Sequence, residues 1–226
     1  MTSVSILIPY YNRKKFEKLI EYNIKCQTYP FIKEVLIADD STEPGQTLQL
    51  DIPYELRYLK CKRMTIGAKR NYLKKHASGD VLVHMDSDDC YCPTYIQSVI
   101  DTLCKYPDCE VTGSTDMLFI NMTTNWTGKQ SCMFQNMQNE ATQAYTKEYS
   151  NTHHYADRNH SENESFMSEV WKVRETPIED IMICVCHGDN TIDKNVWQTD
   201  QYKGKLPMWF WKGEYFRILR QIFPKK

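Results

Sequence analysis

Asp86-Ser87-Asp88-Asp89 places three carboxylates where a hard divalent cation would find ligands. Mg²⁺ and Mn²⁺ prefer carboxylate and phosphate oxygens. Asp86 and Asp88, two positions apart in extended backbone, point to the same side. Together they suit one metal ion bridging a diphosphate, or one of them holds the metal while the other orients the ribose, with Asp89 a further candidate ligand and Ser87 a donor contact. A solvated acidic turn capping a helix has the same composition. What lifts this cluster above that alternative is its place at the end of an apolar run, Asp80–Met85.

Other polar groups recur at comparable places. Asp40 follows the apolar run Glu34–Ala38, and a carboxylate there can accept from a nucleobase N–H, or close a turn on its own backbone. Gly67, Lys69, Arg70 and Asn71 precede the acidic motif. The two cations suit a diphosphate or a base, and Gly67 permits close backbone approach; a plain basic helix face is the alternative. Glu162 and Glu164 are candidate general bases, since a hydroxyl that attacks an anomeric carbon must lose its proton. His187 ends a late apolar run, Met182–Cys186, and suits a third metal ligand or a diphosphate donor. His153, His154 and His160 do not complete a zinc ligand set.

These groups must be held by something, and the hydropathy pattern says what. Val4–Pro9, Glu34–Ala38, Leu56–Cys61 and Asp80–Met85 are short apolar runs of the kind buried in a parallel sheet. Between them the spacing predicts helices over Arg13–Gln27 and Gly67–His76, with another from Pro93 to Lys105. Strands alternating with helices imply βαβ units and a doubly wound α/β fold. Right-handed crossovers then line up Pro9–Arg13, Asp39–Ser41 and Asp86–Asp89 along one crevice at the carboxyl ends of the strands. Residues 125–165 read as loops around at most one short helix near Ala141–Ser150. Pro207–Phe223 reads as an amphipathic helix that packs on the domain, with a peripheral membrane contact or a homodimer interface as its other uses. The expected organisation is one domain over 1–226: a nucleotide-binding half, 1–110; an acceptor-side half, 111–192; and a C-terminal tail, 193–226.

Composition bounds the function. The 226 residues carry a formal charge of −1, which provides no electrostatic footprint for nucleic acid. Nine scattered cysteines, with C-x-C rather than C-x₂-C spacing, read as reduced thiols in a cytoplasmic compartment. The start has neither the basic nor the apolar region of a signal peptide, and no stretch is apolar for the roughly 20 residues a membrane span needs.

In order and spacing these motifs resemble the GT-A fold glycosyltransferases of family 2. Ser5–Arg13 resembles that family's opening strand and nucleotide loop, which assigns Pro9, Tyr11, Asn12 and Arg13 to the donor. Ala38–Ser41 resembles its uracil-contacting turn, Ile66–Asn71 its G-x-x-R-N helix start, and Met85–Asp89 its metal motif. The resemblance implies an inverting single displacement. A hexose or N-acetylhexosamine would pass from a UDP-sugar to a hydroxyl of a glycan or protein, with Mn²⁺ or Mg²⁺ held by Asp86, Asp88, Asp89 and His187. The family's base lies in a Glu-Asp pair; here Asn163 stands at the Asp position, so the role falls to Glu162 or Glu164. A chain impaired in catalysis, retaining a nucleotide-sugar-binding or scaffold role, is the alternative that Asn163 motivates. A nucleotidyltransferase is disfavoured because the first loop lacks glycine. In its compactness the chain is also similar to glycosyltransferases of large DNA viruses.

Overall fold

The computed structural model describes residues 1–131, 137–191, 194 and 205–224. Cys132 and most of 192–204 in the expected tail lie outside the described residues.

The parallel core is built as the apolar runs require. β1 (Val4–Tyr10) pairs in parallel with β2 (Ile32–Asp39) on one side and β4 (Val81–His84) on the other, and β3 (Glu55–Lys60) adds beyond β2. Beyond β4 lie β9 (Ala144–Thr146), antiparallel, then β6 (Val111–Gly113) and β10 (Val173–Glu175), giving the order β10-β6-β9-β4-β1-β2-β3. A smaller sheet joins β5 (Cys90–Tyr91), β11 (Met182–Val185), β7 (Asp116–Asn121) and β8 (Trp126–Ser131) in that order.

Alternation along β1 divides the core into two faces. Val4, Ile6 and Ile8 pack with Leu19, Ile20 and Ile24 of α1 (Glu17–Lys25) and with Ile96 and Val99 of α3 (Tyr95–Lys105). Leu7 faces the opposite layer, with Leu73 of α2 (Ile66–His76) and Tyr149 of α4 (Lys147–Thr152). The polar strand ends stay at one edge because the interior on both faces is already filled.

Several boundaries depart from expectation. The first helix opens as a 3-10 turn, Lys14–Phe16, and becomes α-helical only from Glu17. Pro93 stands two residues before α3, and its carbonyl accepts from Thr28 N at 2.9 Å. Residues 125–165 hold the one short helix expected, α4, but also two strands, β8 and β9, that were not. β8 hides its signal because it is an outer strand with three exposed residues at its end, so it lacks an apolar alternation. The tail is two helices, α5 (Met208–Lys212) and α6 (Tyr215–Ile222), interrupted at Gly213.

Candidate active site

The carboxyl ends of β1 and β4 open onto a cavity of about 500 Å³. Its wall includes Pro9, Tyr11 and Arg13 from the first strand end, and Asp86, Ser87, Asp88 and Asp89 from the acidic motif. Lys69, Arg70, Glu162 and Asn190 also line it. Two of the three expected strand ends thus meet at the cavity; the Asp39–Ser41 end of β2 does not line it, since Asp39 and Asp40 are buried.

Asp86 follows β4 and its amide donates to the Tyr91 hydroxyl at 2.7 Å. Its carboxylate accepts from Arg70 Nη2 at 3.2 Å. The same guanidinium donates through Nε to Glu162 Oε1 at 3.2 Å, and its Nη1 lies 3.1 Å from His84 Nδ1. Burial, and then the Arg70 charge, push His84 well below its ordinary pKa. His84 is therefore neutral, and its Nδ1 is the acceptor of that contact. Arg70 is thus tied to Asp86, Glu162 and His84 within the cavity wall. It aligns Asp86 and Glu162.

Asp88 accepts from His187 Nε2 at 2.9 Å and lies 3.3 Å from Arg13 Nη2. The amide of Asp189 donates to His187 Nδ1 at 3.2 Å, which leaves the ring proton on Nε2, facing Asp88. His187 is held between Phe16, tilted against it at 5.0 Å between centroids, and Phe223, stacked at 5.7 Å. Burial alone would raise the Asp88 carboxyl, but the His187 hydrogen bond and the Arg13 charge outweigh it and hold the group down. Burial, followed by the charge of Asp88, raises Asp89 instead. Asp89 accepts from the Val185 amide at 2.8 Å and so joins the acidic motif to β11.

Asp40, expected at the base, is enclosed. Lys69 Nζ binds one carboxylate oxygen, while Arg63 Nη1 at 2.8 Å and the Met64 amide at 3.1 Å bind the other. The exposed face of this cluster is Arg63, whose guanidinium carbon lies 3.7 Å from the Tyr11 ring centroid. Lys69 is itself buried against Asp40 and the Tyr10 carbonyl, and burial is the first reason its pKa is lowered.

Four expected donor or base residues do other work. A Cβ on Gly67 would fall 1.8 Å from the Ala156 carbonyl oxygen, so this glycine lets α2 approach the 156–162 segment rather than a phosphate. Asn71 exchanges two hydrogen bonds with the Tyr155 backbone, at 2.7 and 3.0 Å. Asn12 adopts a positive φ of 48° and its side chain accepts from Glu43 N. Glu164 lies outside the cavity wall, ion-paired at 2.5 Å with Arg158. Glu162, by contrast, is buried at the wall. Asn163 is buried too, donating to the Gln138 carbonyl at 2.6 Å.

Among the described residues no three His, Cys, Asp or Glu side chains converge closely enough to hold a metal unaided. The hard oxygens that face the cavity, Asp86 and Asp88, nonetheless match the chemistry of Mg²⁺ or Mn²⁺ when phosphate oxygens complete the shell. Two wall residues carried no sequence signal. Glu140 is a lone acid in a polar stretch, and Arg63 precedes the helix motif by several positions.

The comparisons agree with this architecture. The model of glycosyl transferase family 2 matches residues 5–171. A glycosyltransferase of Rickettsia conorii is 31% identical over 106 residues, 46% of this chain and 18% of that protein. One of Rickettsia typhi is 28% identical over 108 residues, 48% of this chain and 34% of that one. The chain therefore spans about a fifth to a third of the length of these relatives. Among solved structures, the mannosyltransferase PcManGT from Pyrobaculum calidifontis, in complex with GDP-Man and Mn²⁺, superposes with a TM-score of 0.60 at 14% identity, covering 98% of this chain and 70% of that one. S. aureus TarS 1–349 in complex with UDP-GlcNAc gives 0.57 at 14% identity, covering 97% and 65%. At such identities the likeness establishes the GT-A fold alone.

Proposed function

The chain belongs to glycosyl transferase family 2, and we propose that it moves a hexosyl unit from a UDP-sugar to a hydroxyl of a glycan or protein by a single, inverting displacement. The observation that carries this reading is the meeting of Asp86, Asp88, Arg13 and Glu162 around one cavity at the carboxyl edge of a parallel sheet.

Each wall has a task in that reaction. Tyr11 and Arg63 offer a flat, cationic face for a nucleobase. Asp88, positioned by His187, and Asp86, positioned by Arg70, would hold a divalent cation. When bound, Mn²⁺ or Mg²⁺ would neutralise the charge on the departing diphosphate. Arg13, beside Asp88, adds a positive charge on the same side. The acceptor hydroxyl gives its proton to a carboxylate of the cavity wall, which Glu140 and Glu162 line and Glu164 does not. Asn163 has no base role, because its amide is committed to Gln138.

Thermal shift with UDP, GDP, CMP and dTDP, each with Mn²⁺ or with chelator, tests the donor site. A ligand at a hundred times its dissociation constant adds about 2.7 kcal/mol to the folded state. A metal-dependent shift with UDP alone, followed by UDP release from a UDP-sugar, is the expected result. The absence of a shift with every nucleotide overturns the proposal.

A further inference from the structure

The segment around Glu140 is tied to both walls of the site. On one side, Asn163 Nδ2 donates to the Gln138 carbonyl at 2.6 Å, joining it to the chain that carries Glu162. On the other, the Tyr91 hydroxyl accepts from the Asp86 amide at 2.7 Å and donates to the Ala141 carbonyl at 3.0 Å. Asn139 Nδ2 spans the carbonyls of Ser114, Thr115 and Asp116 at 3.1, 3.2 and 3.1 Å. The 3-10 turn Glu140–Thr142 is thus pinned at its start and its centre, and the Glu140 side chain joins the cavity wall shared with Asp86 and Glu162.

The two glutamates differ in one respect. Glu162 already accepts from Arg70 Nε, and that guanidinium also holds Asp86. Among the described residues no ion pair or side-chain hydrogen bond holds the Glu140 carboxylate, whose hydrogen bond is to its own backbone amide, with Arg70 as the nearby positive charge. A carboxylate fixed by its backbone at a cavity wall, with no ion pair of its own, is suited to a polar group that arrives with a ligand.

We infer that Glu140 is the carboxylate that takes the proton of the attacking hydroxyl, with Glu162 a positioning residue that fixes Arg70 and Asp86; this rests on the sugar-transfer reading above. In the step, the acceptor oxygen forms a bond to the anomeric carbon. The bond from that carbon to the diphosphate oxygen breaks, its electron pair leaving with the diphosphate. The hydroxyl proton passes to Glu140. Burial, and then the charge of Glu162, push Glu140 up to about 7, where a base is both ionised in part and strong enough to act. The Asp that the family motif would place at position 163 is therefore replaced in function by a residue 23 positions earlier, on a segment that Asn163 ties down through the Gln138 carbonyl.

The test is release of UDP or GDP from UDP-glucose, UDP-N-acetylglucosamine and GDP-mannose, with water as acceptor, beside Mn²⁺-dependent nucleotide binding. Glu140→Gln is expected to lower kcat by at least about 100-fold while nucleotide affinity stays within about threefold. Glu140→Ala is expected to regain rate with added formate, a small carboxylate that fills the gap; loss of a purely structural contact would not respond. Turnover of Glu140→Gln at wild-type rate overturns the assignment alone. A wild type that binds a donor with Mn²⁺ yet releases no diphosphate also overturns it, since a poised base would activate water. A wild type that neither binds nor cleaves any of these donors overturns the sugar-transfer reading, and this assignment with it.

Discussion

Arg70 Nε donates to Glu162 Oε1 at 3.2 Å while Nη2 of the same guanidinium reaches Asp86, so one buried cation spans the two sides of the cavity. With only 3% of its side chain exposed, Arg70 cannot be removed without leaving Glu162, itself 5% exposed, as an unpaired buried charge. Arg70→Met is therefore expected to cost about 3–5 kcal/mol of stability, read as a lower urea midpoint. Arg70→Lys keeps the charge but not the planar fork, and so reaches one partner at a time. It should fold with a smaller loss and still release nucleoside diphosphate at least about tenfold more slowly. A wild-type midpoint in Arg70→Met would mean that the bridge contributes nothing to the fold.

Asp88 and His187 divide a second task. The His187 ring is fixed by Phe16, Phe223 and the Asp189 amide, and presents its Nε2 proton to Asp88. Orienting partners of this kind alter metal affinity by roughly 10–100-fold when removed. His187→Ala should weaken Mn²⁺ binding in the presence of UDP by about that factor, whereas Asp88→Asn should abolish it. Titration of Mn²⁺ by electron paramagnetic resonance separates the two. If Asp88→Asn binds Mn²⁺ as tightly as the wild type, the acidic motif is not the metal site.

How far the sequence could be read follows from these same residues. The strands ending at Tyr10, Asp39 and His84 were legible because strands buried on both faces are almost continuously apolar, and polar residues can gather only where such a strand stops. The acidic motif inherited its meaning from that placement. Asp40 was harder to interpret: its type and position suit a base contact, but whether Lys69 and Arg63 enclose it depends on how α2 packs. Glu140 was illegible for a different reason. It reaches the cavity through a three-residue strand, β9, inserted antiparallel between β4 and β6, and a strand that short carries no periodicity. Glu164 was overvalued because two glutamates two apart look equivalent until the chain turns and gives one of them to Arg158.

Glu34 gives a prediction for acid stability. It lies within β2 and is 1% exposed. It accepts from Arg57 Nη1 at 2.8 Å, from the Ser5 hydroxyl at 2.7 Å and from the Ser78 amide at 2.7 Å. Burial alone would raise its pKa, but Arg57 and these donors outweigh it and bring the carboxyl down to about 2. Because the folded value lies below the unfolded one, the stabilisation is complete above about pH 4.5 and is lost as pH falls towards 2. Glu34→Gln should cost on the order of 2–3 kcal/mol at pH 7 and progressively less below pH 4. Urea denaturation of both proteins at pH 7 and pH 3 checks this; an equal penalty at both values would remove ionisation from the explanation.

Tyr215 decides what the C-terminal tail is for. Its ring is fully buried, meets Tyr22 edge-on at 4.7 Å and packs near Trp209 at 5.3 Å. Its hydroxyl donates to the Tyr91 carbonyl and lies 3.2 Å from Cys26 Sγ. Tyr91 is the residue whose own hydroxyl joins Asp86 to the turn after Glu140, so α6 supports the floor of the site as well as α1. Tyr215→Ala removes the ring and leaves the Tyr91 carbonyl without its donor. It should cost about 3–5 kcal/mol and lower the metal-dependent response to nucleotide in parallel. Trp211, on the neighbouring helix, is 47% exposed and touches only Phe210 and Phe216 by its ring among the described residues, so Trp211→Ser should cost clearly less than Tyr215→Ala. Thermal melts of the two variants, with and without UDP and Mn²⁺, distinguish a tail that completes the core from one that merely decorates it. A Tyr215→Ala melt indistinguishable from wild type would assign the tail to the surface.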